Sequence, residues 1–301
     1  MPQDKSDVAI NPFAVSTWSL HKLLGAVYAH GPGAPDKGEE TRPYGDGALT
    51  LLQLPKELRA RGFSRVEICH FHLVSLDEAY VRAVRDAFSA AGVTIQTLLI
   101  DAGDLTHAEH AERDERWIAQ WIGVAAKLGA ENARVIAGKA KPSPEALARS
   151  IAALKRLAAR GKRLGVRIVT ENWFDLLSSP KEVNAVLDGV GDSLGLLADT
   201  GNWQGPGKYA DLSAIFPRAE LCHAKSGFGD DGAMDEDDAT RWLGCARGAI
   251  YRGPLTLIFA GPGDEWDGLE RERTFALRDG RNPSPRFHEE KVPDRADERR
   301  L

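Results

Sequence analysis

Short apolar runs alternate with longer segments of helical spacing along most of the 301-residue chain. The apolar runs are nearly continuous, which is typical of parallel strands that are buried on both faces. The pattern predicts eight strands, over residues 13–18, 66–69, 93–100, 133–137, 166–170, 194–198, 221–223 and 255–258.

The intervening segments carry helical signals. The segment 144–164 is rich in Ala, Leu, Arg and Lys, with Ser143 placed as its N-cap and Gly165 placed to end it. Ser75 is the expected N-cap of a helix over residues 76–91. One further helix is predicted over residues 112–128 from a single apolar stripe formed by Trp117, Trp121, Val124 and Leu128.

Eight strand–helix units in one chain of this length predict an α/β fold, a (β/α)8 TIM barrel. The alternative is an open doubly wound sheet, which places a glycine-rich phosphate turn after its first strand. Residues 16–22 contain no such turn, so the barrel is favoured.

The barrel domain is expected to span residues 11–277, after an N-terminal extension of residues 1–10. Residues 30–47 are rich in Gly, Pro and charged residues and are predicted to form a long loop at the barrel mouth. Residues 278–301 form a charged tail, for which a solvated segment is favoured over an interaction arm.

Composition narrows the function classes. The formal net charge of −5 argues against a nucleic-acid surface, and no apolar run reaches the ~20 residues that span a membrane. The polar first residues lack the apolar core of a signal peptide. Cys69, Cys222 and Cys245 form no Cys-x-x-Cys pair, so reduced thiols and a cytoplasmic location are expected.

Candidate chemistry lies at the carboxyl ends of the predicted strands, where TIM barrels carry their active sites. Glu171, Asp199 and His223 end three successive strands and together predict a divalent-cation site for Mn, Mg, Co, Zn or Fe. Three protein ligands leave coordination positions open for substrate. Taken singly, Asp199 also fits a helix cap, Glu171 a partner of an arginine, and His223 an interior histidine.

Three segments carry a family resemblance: Thr170-Glu171-Asn172-Trp173, Ala198-Asp199-Thr200-Gly201-Asn202-Trp203 and His223-Ala224-Lys225-Ser226. They resemble successive motifs of the sugar phosphate isomerase/epimerase family, which belongs to the xylose isomerase-like TIM barrels. The similarity runs from about residue 13 to about residue 277. It implies a divalent metal held by Glu171, Asp199 and His223.

The chain departs from the pattern of this family at its eighth strand. Relatives usually place a fourth ligand, a glutamate, where this sequence has Ile258. That glutamate and the one matching Glu171 commonly act as the acid/base pair on opposite faces of the substrate carbon. Relatives often have a histidine where this sequence has Trp173.

Epimerisation needs a proton removed from one face of a carbon and another delivered to the opposite face. Glu171 is predicted to be one catalytic group, and Lys225 and His72 are candidates for the other. Lys225 also fits a phosphate or salt-bridge partner, and His72 a substrate hydrogen-bond donor or a helix cap. Asp264 and Glu265 are less favoured, and elimination with a single base fits the missing carboxylate better than epimerisation.

The substrate is predicted to be a sugar, polyol or sugar-derived natural product. Trp18, Trp173 and Trp203 are expected near the mouth, where they either pack against sugar C–H faces or close the barrel as hydrophobic plugs. The first hypothesis is therefore a metal-dependent isomerase, epimerase or dehydratase-like lyase, which as a barrel of this kind could form a homo-oligomer. The second is a non-catalytic homologue that binds a small molecule or a partner subunit. Endonuclease-like DNA repair would need more histidines at strand ends and a basic face.

Overall fold

Eight parallel strands close into a barrel in the computed structural model, which describes residues 12–34 and 38–279. The first barrel strand pairs with both the last strand and the second, so no edge is left open. This confirms the predicted (β/α)8 fold. The barrel strands are β1 (Phe13–Ser16), β4 (Arg65–Cys69), β5 (Thr94–Ile100), β6 (Asn132–Val135), β7 (Arg167–Glu171), β8 (Leu194–Asp199), β9 (Ala219–Ala224) and β10 (Leu255–Leu257). A separate pair is formed by β2 (Val27–Ala29) and β3 (Glu39–Thr41).

Helices on the outside of the barrel cover its apolar surface. They are α1 (His21–Leu24), α2 (Leu54–Ala60), α3 (Glu78–Ala90), α4 (Ala111–Leu128), α5 (Pro144–Leu164), α6 (Pro180–Val190), α7 (Lys208–Ile215), α8 (Glu236–Gly248) and α9 (Glu265–Asp279). None of the helices within the described ranges is long and apolar enough to cross a membrane.

Helix α5 begins and ends at the residues that the sequence signals predict. The Ser143 hydroxyl accepts a hydrogen bond from the backbone N–H of Ala146, and Gly165 ends the helix in the left-handed region with φ 74°. Both features were predicted. In α4, Trp121 and Leu128 are buried against the core, as the predicted stripe requires.

Two local predictions were wrong. Residues 30–47 are not entirely loop, because β3 pairs antiparallel with β2. All of β3 is exposed, so it has no apolar alternation by which the sequence could show it. Helix α3 begins at Glu78 after Asp77, because the Ser75 hydroxyl accepts from the backbone N–H of Asp77 and forms a turn before the helix.

The two terminal segments predicted from the sequence lie largely outside the described residues. The N-terminal extension, residues 1–10, lies outside them, as does the charged tail from residue 280 onward. The first two residues assigned to that tail, Arg278 and Asp279, belong to α9.

Inside the barrel, a layer of polar side chains lies beneath the carboxyl ends of the strands. Gln96 on β5 donates to Glu67 on β4 at 2.9 Å and to the Thr256 hydroxyl on β10 at 3.1 Å. The Thr97 hydroxyl donates to the same Glu67 oxygen at 2.8 Å. This layer supports the side chains of the candidate site from below.

Candidate metal centre

The structure brings Glu171, Asp199 and His223 together at the barrel mouth. Glu171 and Asp199 are the last residues of β7 and β8, and Asp199 pairs with His223 of β9 in the strand register. All three side chains are buried. One ligand atom from each residue lies within 4.8 Å of the others, which makes the group a candidate cation site.

The distances from His223 to the two carboxylates are close to those between ligands of one divalent ion. His223 Nδ1 lies 3.4 Å from Asp199 Oδ2 and 3.6 Å from Glu171 Oε1. Ligands at about 2.1 Å from a metal, at octahedral or tetrahedral angles, lie about 3.0–3.4 Å from each other. These two separations lie at or within a few tenths of an ångström of that range, and all three ligand atoms lie within 4.8 Å of one another.

Glu67 orients His223 for this role. Its Oε2 lies 2.7 Å from His223 Nε2, and the Glu67 side chain is fully buried. With the proton on Nε2 donated to Glu67, the lone pair of Nδ1 faces Glu171 and Asp199. Histidines that bind metals typically donate their other ring N–H to a carboxylate in this way.

Neighbouring charges shift the pKa values of His223 and Glu67 in opposite directions. Burial alone would lower the pKa of His223, but the carboxylates of Glu67 and Glu171 raise it well above its usual value. Burial alone would raise the pKa of Glu67, but His223 and the hydrogen bonds of Gln96 and Thr97 lower it. Glu67 was not among the predicted site residues, although a carboxylate inside the apolar run Val66-Glu67-Ile68 is an available signal.

Asp199 serves two purposes at once. Its Oδ1 accepts from the backbone N–H groups of Gly201 at 2.6 Å and Asn202 at 2.8 Å, which fixes the turn after β8. Its Oδ2 is thereby left for a cation. The capping role and the ligand role, which were alternatives in the sequence, are compatible because each uses a different oxygen.

Glu171 is held from two sides. Asn202 donates to its Oε1 at 2.8 Å, and Arg134 Nε lies 3.0 Å from its Oε2. The Nε–H bond does not point at that oxygen, so this second contact is an ion pair and not a hydrogen bond. The alternative that Glu171 pairs with an arginine is thus also realised in the structure.

Arg134 joins Glu171 to a second acid, Asp101. Its guanidinium binds Asp101 Oδ1, donates to the Ile100 carbonyl at 3.3 Å, and lies 5.0 Å from the Trp173 ring centre. Burial alone would raise the pKa of Asp101, but Arg134 and His70 together lower it to about 2. Neither residue was predicted; Arg134 stands out in the sequence only as a charge within the apolar segment 133–137.

A cavity of about 90 Å³ opens above these residues. Of the predicted substrate contacts, Trp18, Trp173 and Lys225 line it. Ile258 lines it as well, and with Cys69 and Leu99 it makes one wall apolar. The lining is Ser16, Trp18, Cys69, Leu99, Asp101, Arg134, Glu171, Trp173, Asp199, Asn202, His223, Lys225 and Ile258.

Two predicted site residues lie elsewhere. Trp203 is 7% exposed and donates its indole N–H to the Leu177 carbonyl at 3.1 Å, a position that matches a hydrophobic plug. His72 is buried with its Nδ1 2.9 Å from the Thr17 hydroxyl, and burial lowers its pKa to about 3, so it is neutral.

Glu265, one of the less favoured acids, accepts from the backbone N–H groups of Lys22 and Leu23 and is not part of the cavity lining.

Solved structures with this fold include three close in shape. A xylose isomerase-like TIM barrel protein from Mycobacterium smegmatis, in complex with magnesium, is 16% identical with a TM-score of 0.65, and the alignment covers 90% of this chain and 97% of that one. D-allulose 3-epimerase from Methylomonas sp. is 17% identical with a TM-score of 0.66, covering 90% and 98%. L-ribulose 3-epimerase is 16% identical with a TM-score of 0.66, covering 90% and 96%. At these identities the similarity establishes the fold.

No curated protein sequence matches the chain. The sequence profile of one family, described as xylose isomerase-like TIM barrel, matches residues 55–264, which is more than half of the chain. The closed parallel barrel agrees with that match. The protein therefore belongs to the xylose isomerase-like TIM barrel family.

Proposed function

We propose that the protein is a divalent-metal-dependent enzyme of the isomerase, epimerase or lyase type that acts on a sugar, polyol or sugar-derived natural product. The observation that carries this proposal is the convergence of Glu171 Oε1, Asp199 Oδ2 and His223 Nδ1, with His223 oriented by Glu67. The epimerases of similar fold support the carbohydrate substrate class.

The three ligand residues would hold the cation, and Mn, Mg, Co, Zn and Fe all accept this donor set. When bound, the metal would supply Lewis acidity toward a carbonyl or hydroxyl oxygen. Glu171 is the proposed base for a C–H bond next to that carbonyl, and Asn202 and Arg134 position its two oxygens.

Lys225 is the proposed second proton-transfer group. Its backbone is held by Thr200, whose hydroxyl accepts from the Lys225 N–H at 2.9 Å and contacts the Lys225 carbonyl at 3.0 Å. The stem of Lys225 lies directly over Gly201, where an added Cβ would be 2.5 Å from Lys225 Cδ. We assign no proton transfer to His72, because it is not among the residues that line the cavity.

Ile258 bears on the type of reaction. An apolar side chain on this wall cannot accept or deliver a proton, so one face of the substrate lacks the usual carboxylate. A reaction that needs one base, such as elimination, is therefore proposed ahead of epimerisation that uses two carboxylates.

Metal analysis of the purified protein tests the proposal. After supplementation with Mn, Co or Zn, the wild type should retain one ion per chain and Glu171→Ala should lose it. Exchange of a sugar C–H proton for deuterium in D2O, followed by NMR, should occur with the wild type only. The absence of a retained ion would favour the second hypothesis, a non-catalytic homologue that binds a small molecule or a partner subunit.

The proposal extends to the ligands, the location, the domain bounds and the assembly of the protein. A small-molecule substrate is expected, with neither nucleic acid nor membrane as a partner. A cytoplasmic location, a barrel domain spanning residues 11–277 and assembly as a homo-oligomer are likewise proposed.

A further inference from the structure

A polar groove lies beside the candidate metal centre, at the same end of the barrel. Its volume is about 520 Å³, and its walls come from the turns after β8 and β9 and from the first turns of α7 and α8. Lys225 lines both the groove and the metal-centre cavity. The two spaces are therefore neighbours that share one side chain.

Gly201 determines how Lys225 separates them. An added Cβ at Gly201 would lie 2.5 Å from Cδ and 2.9 Å from Cγ of Lys225, so a side chain there would displace the stem of Lys225. The backbone of Gly201 is not in the left-handed region, so a substitution would disturb this close approach and not the backbone conformation. The stem of Lys225 thus lies against this turn, between the cavity and the groove that it lines on either side.

Size argues that a ligand uses both spaces. The cavity of about 90 Å³ is small against the ~300–1,000 Å³ of sites that enclose small molecules, whereas the groove of about 520 Å³ falls within that range. The cavity can take the reacting end of a substrate, and the groove has room for the rest.

Charge in the groove is balanced. Three cationic side chains and three carboxylates line it, so neither an anion nor a cation is favoured overall. They are Lys208, Lys225 and Arg241, and Asp235, Asp237 and Asp238. A neutral ligand leaves this net balance of charge unchanged.

The polar groups of the groove are fixed in place. Asp238 binds Lys208 Nζ and accepts from the Tyr209 hydroxyl at 2.7 Å. The Arg241 guanidinium lies 3.7 Å from the Tyr209 ring centre, and within the described part of the chain it makes no hydrogen bond or ion pair. Its N–H donors and the carboxylate acceptors line the same groove. Sugar hydroxyls, which donate and accept at once, match such a surface.

We propose that this groove binds a second, neutral sugar unit of a glycosidic substrate whose first unit lies in the metal-centre cavity. The inference rests on the proposed function, because it places the reacting unit at Glu171, Asp199 and His223.

Calorimetry on the Mn²⁺-loaded protein tests it, with D-glucose and D-fructose as monosaccharides and maltose, cellobiose, lactose, sucrose and trehalose as disaccharides. At least one disaccharide should bind about tenfold or more tightly than its monosaccharide units, since the groove adds several hydrogen bonds. Arg241→Ala should remove that advantage and leave Mn²⁺ affinity unchanged. Arg252→Ala, an exposed arginine outside the groove, is the matched control and should retain it.

Three results would overturn the inference. The first is that no disaccharide binds more tightly than its units, and the second is that glucose 6-phosphate binds more tightly than every disaccharide. The third is that Arg241→Ala and Arg252→Ala weaken disaccharide binding equally. If the wild type still binds Mn²⁺ and Glu171→Ala does not, the proposed function stands in each of these cases. If the wild type binds no Mn²⁺, the metal centre itself is refuted.

Discussion

Replacing Glu67 with glutamine tests the orientation of His223 by a residue that would not itself touch the metal. The Glu67 carboxylate receives three contacts, from His223 Nε2 at 2.7 Å, Thr97 at 2.8 Å and Gln96 at 2.9 Å. An amide keeps the shape of the side chain but offers one acceptor oxygen in place of two. His223 then loses the charged partner that keeps its proton on Nε2.

The size of the effect follows from this geometry. Loss of a carboxylate that orients a metal-binding histidine typically costs 10–100-fold in metal affinity, or about 1.4–2.8 kcal/mol. Removing one partner of a buried charged pair also costs about 3–5 kcal/mol of folding stability. We therefore expect Glu67→Gln to bind Mn²⁺ about 10–100-fold more weakly than the wild type and to unfold at a lower temperature.

Isothermal calorimetry with Mn²⁺, below the melting temperature of each variant, measures the affinity. Glu272→Gln is a matched control, because it also changes a buried carboxylate to an amide but lies on α9 outside the cavity lining. Circular dichroism reports whether each variant is folded. Wild-type affinity in folded Glu67→Gln, together with loss of binding in Glu171→Ala, would refute the role assigned to Glu67.

Two further predictions concern Ile258 and a buried acid. Ile258→Glu adds an anionic oxygen donor on the cavity wall, and should tighten Mn²⁺ binding by about tenfold or more because ligand charge raises affinity. The same variant should melt at a lower temperature in EDTA, since the new carboxylate is then uncompensated; unchanged calorimetric affinity would count against a cation between Glu171, Asp199 and His223. Burial raises the pKa of Glu272 well above its usual 4.5, so this acid binds its proton more tightly in the folded state. Its contribution to stability is complete below pH 4.5 and is lost as the pH rises toward the folded pKa, by about 1.4 kcal/mol per unit of pH. Glu272→Gln should remove this dependence in thermal melts between pH 5 and 8, and identical pH profiles for the two proteins would show the assignment to be wrong.

The sequence by itself determined the barrel and the strand ends. Buried parallel strands produce continuous apolar runs, and eight of them lie within two residues of the strands in the structure at their starts and ends. Glu171, Asp199 and His223 could be found because each interrupts or follows such a run at the end where barrels carry chemistry. Ile258, which lines the cavity, was singled out in the sequence for the same reason.

Only the tertiary structure decided which charged groups face the barrel interior. A barrel strand is buried on both faces, so its apolar run does not show whether Glu67 or Arg134 points inward or toward a helix. Barrel closure places Glu67 against His223, more than 150 positions away in the chain, and Arg134 between Asp101 and Glu171. Such contacts depend on register and strand tilt, which local spacing does not encode.

The same limit explains why two predicted site residues lie away from the cavity. It also explains why the sequence did not show the groove. His72 and Trp203 were predicted at the mouth because they follow strands, but the backbone turns that they enter direct them to Thr17 and Leu177. The groove past Lys225 is built from turns after two strands and the first turns of two helices. Local sequence determines where strands and helices form, whereas the packing of distant segments determines which side chains share a surface.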